Sequence, residues 1–202
     1  MERTDRLRGV LSLIQAVLGR LPFRPADIAL LYMLRCEGIP DIALQRAAAA
    51  VDTAGPEDAD ELSCCVNKGW KFRRRFGQGD HCIKAKIGDE VAGYLWFSAG
   101  GSHVEELYGY EIKIPDGAVY CYDEYVSPEH RQKGIFKQLC RELAGWMRRN
   151  NRRTILVLVA SGNELSRKVH TKMGFRPVKR IFLVRVPGFA YTGEREIGGP
   201  LK

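Results

Sequence analysis

The stretch Glu124-Tyr-Val-Ser-Pro-Glu-His-Arg-Gln-Lys-Gly-Ile-Phe-Lys137 decides how the rest of the chain is interpreted. The aromatic run at 119–126 predicts a β-strand, and Pro128 ends it because proline cannot donate to a strand ladder. A basic turn with one glycine follows, and the chain then predicts a helix over 135–149. A strand, a basic turn and a helix start together favour phosphate binding, since backbone N–H groups and the positive end of the helix dipole face the anion.

The composition is that of one globular domain with anionic partners. Of the 202 residues, 45% are hydrophobic, which is enough for one substantial core. The net charge of +8 suggests nucleic acid, an acidic membrane or a polyphosphate ligand, although the same charge can simply aid solubility. No apolar run approaches the roughly 20 residues that span a bilayer. None of the six cysteines forms a Cys-x-x-Cys pair, so we expect reduced thiols, no metal site and a cytoplasmic location.

The two ends of the chain predict segments outside the main domain. Apolar residues recur at helical spacing over 1–21 and predict an amphipathic helix that Pro22 ends. Such a stripe packs on its own domain or on a second copy more often than on a membrane surface, so a homodimer through this helix is one expectation. We expect the main domain to cover 22–190. Glycine and proline in the last residues predict a flexible tail over 191–202.

The middle of the chain predicts a mixed α/β sheet. Strands are predicted at 28–34, 81–87, 91–97, 108–114, 154–160 and 175–186, and helices at 43–51, 57–66 and 164–173. The strand–helix–strand–helix–strand order at the end predicts one parallel crossover. Residues 70–76 mix arginines with aromatic residues, the composition of a single-stranded nucleic-acid platform. A solvated loop, or a lip over a charged pocket, is the favoured interpretation of that stretch.

Two stretches together resemble the GNAT superfamily of acyl-CoA N-acyltransferases. The first runs from Val126 to Phe136 and is similar to the family signature of Arg/Gln, two residues, Gly, one residue and Gly/Ala. The second, Asn163-Glu-Leu-Ser-Arg-Lys-Val-His-Thr-Lys-Met-Gly-Phe175, is similar to the family's Asn…Ala/Ser…Tyr…Gly-Phe segment. The resemblance implies a GNAT-like fold, in which helices flank a central mixed and mostly antiparallel sheet. It also implies acetyl transfer from acetyl-CoA to a primary amine of an unknown small-molecule or peptide acceptor.

The resemblance assigns the coenzyme A site to the basic turn and the helix that follows it. The turn's backbone would hold the pyrophosphate, while Arg131 and Lys133 add charge and Gly134 allows close approach. Phe136 replaces the family's second small residue, which can narrow the turn or shift the phosphate. The resemblance further implies that two parallel strands separate near Val126, so that the pantetheine arm can pair with the main chain. The predicted cofactor-binding residues are Val126, Arg131, Gln132, Lys133, Gly134, Ile135, Phe136, Lys137, Asn163 and Arg167.

Two of these cofactor predictions have a plain structural alternative. Asn163 is either a helix N-cap alone or an N-cap that also contacts the cofactor. Arg167 either reaches the adenosine phosphates or is a solvated helix charge.

Acetyl transfer also needs a base for the amine proton and an acid for the departing thiolate. Family members often carry tyrosine where this chain has His170, and histidine can donate a proton near neutral pH. A purely structural His170 is the alternative. Asp123 and Glu124 lie at the end of the central strand, where successive side chains point to opposite faces unless a bulge intervenes. Glu124 is the predicted base, while His81 and His103 are interpreted as loop or strand-end residues.

Two other classes of function stay open at this point. A catalytically silent acyl-CoA-binding sensor is favoured by Phe136 and His170, the two departures from the family pattern. A nucleic-acid-binding module that uses the arginines at 73–75 is the less favoured reading.

Overall fold

The computed structural model describes residues 27–38, 49–66 and 68–198. The predicted N-terminal helix and most of the helix predicted at 43–51 lie outside these residues. The chain divides into a larger unit, Cys36–Val157, and a smaller unit, Met1–Arg35 with Leu158–Lys202.

The described residues form ten strands and four α-helices. The strands are β1 (Asp27–Glu37), β2 (Ala50–Ala54), β3 (His81–Ile87), β4 (Glu90–Ser98), β5 (Ser102–Glu105), β6 (Tyr110–Lys113), β7 (Ala118–Val126), β8 (Thr154–Ala160), β9 (Arg176–Val186) and β10 (Phe189–Glu196). The helices are α1 (Ala59–Val66), α2 (Gly69–Gly77), α3 (Ile135–Arg149) and α4 (Glu164–Lys172).

The larger unit is built on an antiparallel sheet that one parallel strand extends. Strands β2, β3, β4 and β7 pair antiparallel in this order, and the first residues of β8 pair with β7 in parallel. Strands β5 and β6 form a separate two-stranded sheet. The predicted mixed, mostly antiparallel α/β fold with one parallel crossover is therefore confirmed.

Helices cover both faces of this sheet. On one face, the ring of Phe72 in α2 lies 5.4 Å from the ring of Trp96. On the other face, the ring of Trp146 in α3 lies 4.7 Å from the ring of Phe97. Trp96 and Phe97 are successive residues of β4, so their side chains point to opposite faces. The sheet is thus packed between α2 and α3, and both rings on β4 are fully buried.

In the smaller unit, β9 pairs antiparallel with both β1 and β10. Pro187 and Gly188 connect β9 to β10 as a two-residue hairpin loop, and Gly188 has a φ of 78°, which favours glycine. Residues 191–196, which the sequence predicts as part of a flexible tail, belong to strand β10. The strand is mostly exposed and polar, so its sequence lacks the apolar alternation that signals a strand.

Two further segments differ from the sequence-based expectation. Residues 70–76 form most of helix α2 rather than a loop, because Phe72 and Phe76 lie one helical turn apart and both contact Trp96. Residues 50 and 51 begin strand β2, where a helix had been predicted to end. In both places tertiary packing overrides a weak local pattern.

Candidate active site

Strand β7 carries a β-bulge near its C-terminal end. Its pairing with β4 passes from Tyr122↔Trp96 to Tyr125↔Tyr94, so three steps along β7 oppose two along β4. Asp123 takes a φ of 46°, which is uncommon for a residue other than glycine. As a result, the neighbours Tyr122 and Asp123 both line the same cavity, although regular strand geometry would separate them.

The parallel ladder between β7 and β8 ends before the bulge. Pairing runs from Ala118↔Thr154 to Cys121↔Val157, whereas β7 continues to Val126. The two strands therefore stop pairing ahead of Val126.

The basic turn after β7 is held in a conformation that opens the start of α3. Gln132 and Gly134 have left-handed φ values of 63° and 82°, and Gly134 is the N-cap residue of α3. The first helical hydrogen bond runs from the N–H of Gln138 to the carbonyl of Gly134, over 3.1 Å. A helix offers the N–H groups of its first turn no acceptor within the helix, and its dipole is positive there. The geometry suits an anion such as a pyrophosphate.

The side chains of this turn divide into anchors and exposed groups. Ile135 is 1% exposed, so it fixes the helix start in the core and only its backbone can face a ligand. Arg131 donates from Nε to the carbonyl of Val126 over 3.2 Å, which ties the turn to the end of β7. Gln132, Lys133 and Lys137 are exposed, and Phe136 is half-buried.

The predicted site residues on α4 lie in the smaller unit. Asn163 is the N-cap of α4, where its Oδ1 accepts a hydrogen bond from the N–H of Ser166 over 3.1 Å. Arg167 donates to the carbonyl of Ser161 over 3.3 Å, and its guanidinium lies 5.5 Å from the ring centre of Tyr32. Both side chains thus have roles within the unit's own fold.

His170 is a buried residue of the same helix. Its side chain lies in the core of the smaller unit, and its Nδ1 lies 2.8 Å from the carbonyl oxygen of Ser166. This contact requires the proton on Nδ1, since a carbonyl oxygen can only accept. The edge of the imidazole packs against the ring of Phe175, with centroids 5.0 Å apart.

A cavity of about 940 Å³ opens beside the bulge in the larger unit. One wall consists of the start and inner face of α2, and it carries Lys68, Lys71, Arg74 and Arg75. The other charged and aromatic lining residues come from the segment before β3, from β5 and the residue after it, and from β7; they are Asp80, His103, Glu105, Glu106, Tyr122 and Asp123. Residues 70–76 therefore do form the border of a charged pocket, as the sequence suggested, but as a helix.

Asp123 holds two of the cations on the α2 wall. Its Oδ2 accepts a hydrogen bond from Nη1 of Arg75 over 2.5 Å, and its Oδ1 lies 3.2 Å from Nζ of Lys68. The side chains of Arg75 and Asp123 are only 12% and 18% exposed. The guanidinium of Arg75 also lies 4.9 Å from the ring centre of Tyr122 and 5.2 Å from that of Trp96. Asp123 is thus neutralised by neighbours that its own fold supplies.

Two carboxylates of the cavity lining, Asp80 and Glu105, accept hydrogen bonds from buried tyrosine hydroxyls. Tyr122 donates its hydroxyl to Asp80 over 2.5 Å, and Tyr120 donates to Glu105 over 2.6 Å. Burial raises the pKa of both tyrosines far above the usual range, and the neighbouring carboxylates raise it further, so the hydroxyls stay neutral donors.

His103 lies among these groups. Its ring centre is 4.1 Å from that of Tyr122, and its Nδ1 is 3.8 Å from Oδ2 of Asp80. Burial lowers the pKa of His103, while the charges of Asp80 and Glu105 act in the opposite direction. The imidazole is therefore neutral at neutral pH and able to accept a proton. No local sequence pattern indicates a role for His103, because its neighbours come from separate segments of the chain.

The predicted base, Glu124, lies on a different side of β7 from Asp123. The side chain of Glu124 is half-buried. Burial of Cys121 and Cys140 raises the pKa of both thiols, and the nearby negative charge of Glu124 raises each pKa further. Of the two carboxylates at the strand end, Asp123 lines the cavity.

The described residues lack two other kinds of site or segment. In residues 27–38, 49–66 and 68–198, no group of three or more His, Cys, Asp and Glu side chains is arranged to hold a metal ion. Over the same ranges, no helix has the length and apolar character that crossing a bilayer requires.

A family comparison assigns this fold to a class of acyltransferases. Residues 48–175 match the family model described as acetyltransferase (GNAT) family, and the chain belongs to that family. The resemblance predicted from residues 126–136 and 163–175 is thereby confirmed. No curated protein sequence matches the chain.

Solved structures share this fold at low sequence identity. A GNAT-family protein from Novosphingobium aromaticivorans DSM 12444 is 14% identical, with a TM-score of 0.57 over 81% of this chain and 67% of its own. The aminoglycoside N-acetyltransferase AAC(6')-Iy, solved in complex with CoA, is 17% identical, with a TM-score of 0.52 over 63% of this chain and 91% of its own. A conserved protein from Staphylococcus epidermidis ATCC 12228 is 11% identical, with a TM-score of 0.55 over 83% of this chain and 63% of its own.

Proposed function

We propose that this acyltransferase moves an acetyl group from acetyl-CoA to a primary amine that binds in the 940 Å³ cavity. One observation carries the proposal: the cavity borders the bulge at Asp123, immediately after the β7–β8 ladder ends at Cys121 and Val157. Acceptor and thioester would therefore meet at the same point of β7.

The residues of the basic turn fit coenzyme A. The backbone from Gln132 to Lys137 would hold the pyrophosphate at the start of α3, with Lys133 adding charge and the main chain near Val126 accompanying the pantetheine arm. When bound, acetyl-CoA supplies a carbonyl carbon that the amine nitrogen attacks, so that a C–N bond forms, the C–S bond breaks and the thiol is released. Asn163 and Arg167 are retained as cofactor contacts on the family resemblance.

Proton transfer needs an acceptor for the ammonium proton. Glu124 is the base that the sequence favours, and His103 is a second candidate because it lines the cavity as a neutral imidazole. Asp123 is a poorer candidate, since Arg75 and Lys68 already occupy its oxygens. His170 is the proposed acid, which gives a proton to the departing sulfur. Its Nδ1 proton is engaged with Ser166, so the transferred proton would come from Nε2 of the doubly protonated imidazolium, leaving a neutral ring with its proton on Nδ1.

A matched set of variants separates the two candidate bases. Glu124→Gln and His103→Gln remove the proton acceptor with little change in size. The true base is the residue whose replacement lowers kcat by roughly 100-fold while the Kd for coenzyme A stays unchanged. If both variants turn over as fast as the parent enzyme, neither residue is the base.

Calorimetry and thiol release test the function itself. Titration with coenzyme A should give saturable binding, and the absence of binding at millimolar concentration would refute the proposal. A panel of primary amines with acetyl-CoA should then release free thiol. Binding without release on any amine would favour the silent sensor, whereas salt-sensitive binding of oligonucleotides without coenzyme A binding would favour the nucleic-acid module.

The proposal also retains a cytoplasmic location and a homodimer formed through residues 1–21, both on sequence grounds. Sedimentation of the full chain beside a chain that begins at residue 22 tests the dimer, because loss of the helix should leave a monomer. A full chain that already sediments as a monomer would contradict it.

A further inference from the structure

We infer that the amine acceptor also carries an anionic group, such as a carboxylate or a phosphate. This inference rests on the proposed function and concerns the chemistry that the 940 Å³ cavity selects.

The α2 wall of the cavity has more cations than carboxylates. Lys68 and Arg75 share Asp123, and Lys71 and Arg74 share Glu106. Four basic side chains thus meet two acidic ones, which leaves an excess of two positive charges on this wall. A ligand anion is attracted to such a surplus.

The two carboxylates that pair with this wall, Asp123 and Glu106, differ in how deeply their ion pairs are buried. The Arg75–Asp123 pair is mostly buried, and the rings of Phe72, Trp96 and Tyr122 surround the guanidinium, so it belongs to the fold. By contrast, Lys71, Arg74 and Glu106 are 33%, 44% and 42% exposed.

Exposed ion pairs contribute only about 0–1 kcal/mol. Lys71 and Arg74 can therefore exchange Glu106 for an anionic group of the ligand at little cost. These two side chains form the anion-binding end of the cavity.

The remaining carboxylates of the cavity lining, Asp80 and Glu105, pair with none of the four cations of the α2 wall among the described residues. Asp80 and Glu105 accept hydrogen bonds from the neutral hydroxyls of Tyr122 and Tyr120. Among the described residues, neither carboxylate forms an ion pair with a lysine or arginine, and His103 between them is neutral at neutral pH. Two negative charges thus face the cavity without a full positive partner, and an ammonium group would supply one.

The cavity is therefore bipolar, with an ammonium-binding end at Asp80, Glu105 and His103 and an anion-binding end at Lys71 and Arg74. A zwitterionic amine satisfies both ends. Aminoglycosides, the compounds in the name of AAC(6')-Iy, are polycationic amines. In this cavity such an amine would place further positive charge against the α2 wall. We expect such acceptors to be disfavoured.

A series of amines that differ only in their far end tests this inference. ω-Amino carboxylates with two to six carbons are compared with the corresponding amides and with diamines of equal length. At the best length, kcat/KM should be at least tenfold higher for the carboxylate than for the amide, and lowest for the diamine. The ratio of kcat/KM for O-phosphoethanolamine to that for ethanolamine tests the same preference for a phosphate group.

Variants on the α2 wall identify the residues responsible. Lys71→Gln with Arg74→Gln should abolish the preference for the carboxylate over the amide. Arg73→Gln is the matched control, because Arg73 pairs with the exposed Asp60 and lies outside the cavity lining. A preference that survives the double variant, or a diamine used as well as the carboxylate, overturns the inference.

Binding measurements separate this inference from the proposed function. Calorimetry with the same amines in the presence of coenzyme A needs no turnover. If the carboxylate binds best but no amine releases thiol, the inference holds and the acetyltransferase proposal fails. If amines are acetylated without any preference for an anionic end, acetyl transfer holds and the inference fails.

Discussion

Nη1 of Arg75 in α2 lies 2.5 Å from Oδ2 of Asp123 at the bulge of β7. This ion pair joins a helix on one face of the sheet to the one residue of β7 with a left-handed backbone. It thereby holds the bulge and the α2 wall of the cavity in register.

Replacing Arg75 should destabilise the fold strongly. Arg75→Met leaves the mostly buried Asp123 with the ammonium of Lys68 and a long hydrogen bond from the Tyr94 hydroxyl. It also removes the cation from three aromatic rings, so we expect a loss of about 3 kcal/mol in the free energy of unfolding. Arg73→Met is the control, since its pair with Asp60 is exposed and should cost less than about 1 kcal/mol. Urea denaturation of both variants measures the difference, and equal losses would contradict the prediction.

The left-handed Gly134 should matter for both folding and cofactor binding. Gly134→Ala places a Cβ on a residue with a φ of 82°, which costs about 1–2 kcal/mol and strains the start of α3. We expect lower stability and a higher Kd for coenzyme A. Gly145→Ala in the same helix should instead raise stability by about 0.5–1 kcal/mol, because only flexible side-chain ends lie near its added Cβ. Identical behaviour of the two variants in calorimetry would argue against a role for the turn.

Two variants of His170 distinguish a catalytic role of this residue from a role in core packing. His170→Phe should lower kcat by roughly 100-fold and leave the Kd for coenzyme A unchanged, if the imidazole donates the proton. His170→Asn retains an N–H donor for the carbonyl of Ser166 and should lose the same activity with a smaller loss of stability. Normal turnover per folded molecule in both variants would make His170 a core residue only.

The buried histidines predict a stability change in mild acid. Burial lowers the pKa of His81 and of His103 below the value of about 6.5 in an unfolded chain. The unfolded state then binds more protons, so stability is complete above about pH 6.5 and falls as the pH decreases below it. Unfolding at pH 7.5 and 5.5 measures this loss, which His81→Phe should reduce. Equal stability of the parent chain at both pH values would contradict the prediction.

The choice of pH 5.5 keeps carboxylates out of this comparison. The hydrogen bond from Lys86 lowers the pKa of Glu61, with Lys84 acting in the same direction. The stabilisation from that carboxylate is present above its unfolded pKa of about 4.3 and is lost only at more acidic pH.

Elements with strong periodicity could be predicted from the sequence. Helix α3 and strand β8 have the predicted bounds, because their apolar residues recur at helical spacing or form one continuous run. Strand β10 and helix α2 could not be predicted, since exposed polar strands and short arginine-rich helices depend on partners distant in sequence.

The same distinction applies to the site. The basic turn and its glycine are local in sequence, so the turn at 131–134 and the helix start that follows it could be predicted from spacing alone. The cavity could not be found in this way. Asp80, His103 and Tyr122 come from three segments that only the folded sheet brings together, and the choice between Asp123 and Glu124 depends on a bulge that no local pattern specifies.

The two kinds of ion pair on the α2 wall have a consequence for how this enzyme can change over time. Arg75 and Asp123 are fixed by the fold, whereas Lys71, Arg74 and Glu106 are exposed and contribute little to stability. Substitutions at these three positions can accumulate without unfolding the chain. New acceptors are therefore accessible by mutational drift, and a combinatorial library confined to these positions should yield folded enzymes with altered preference.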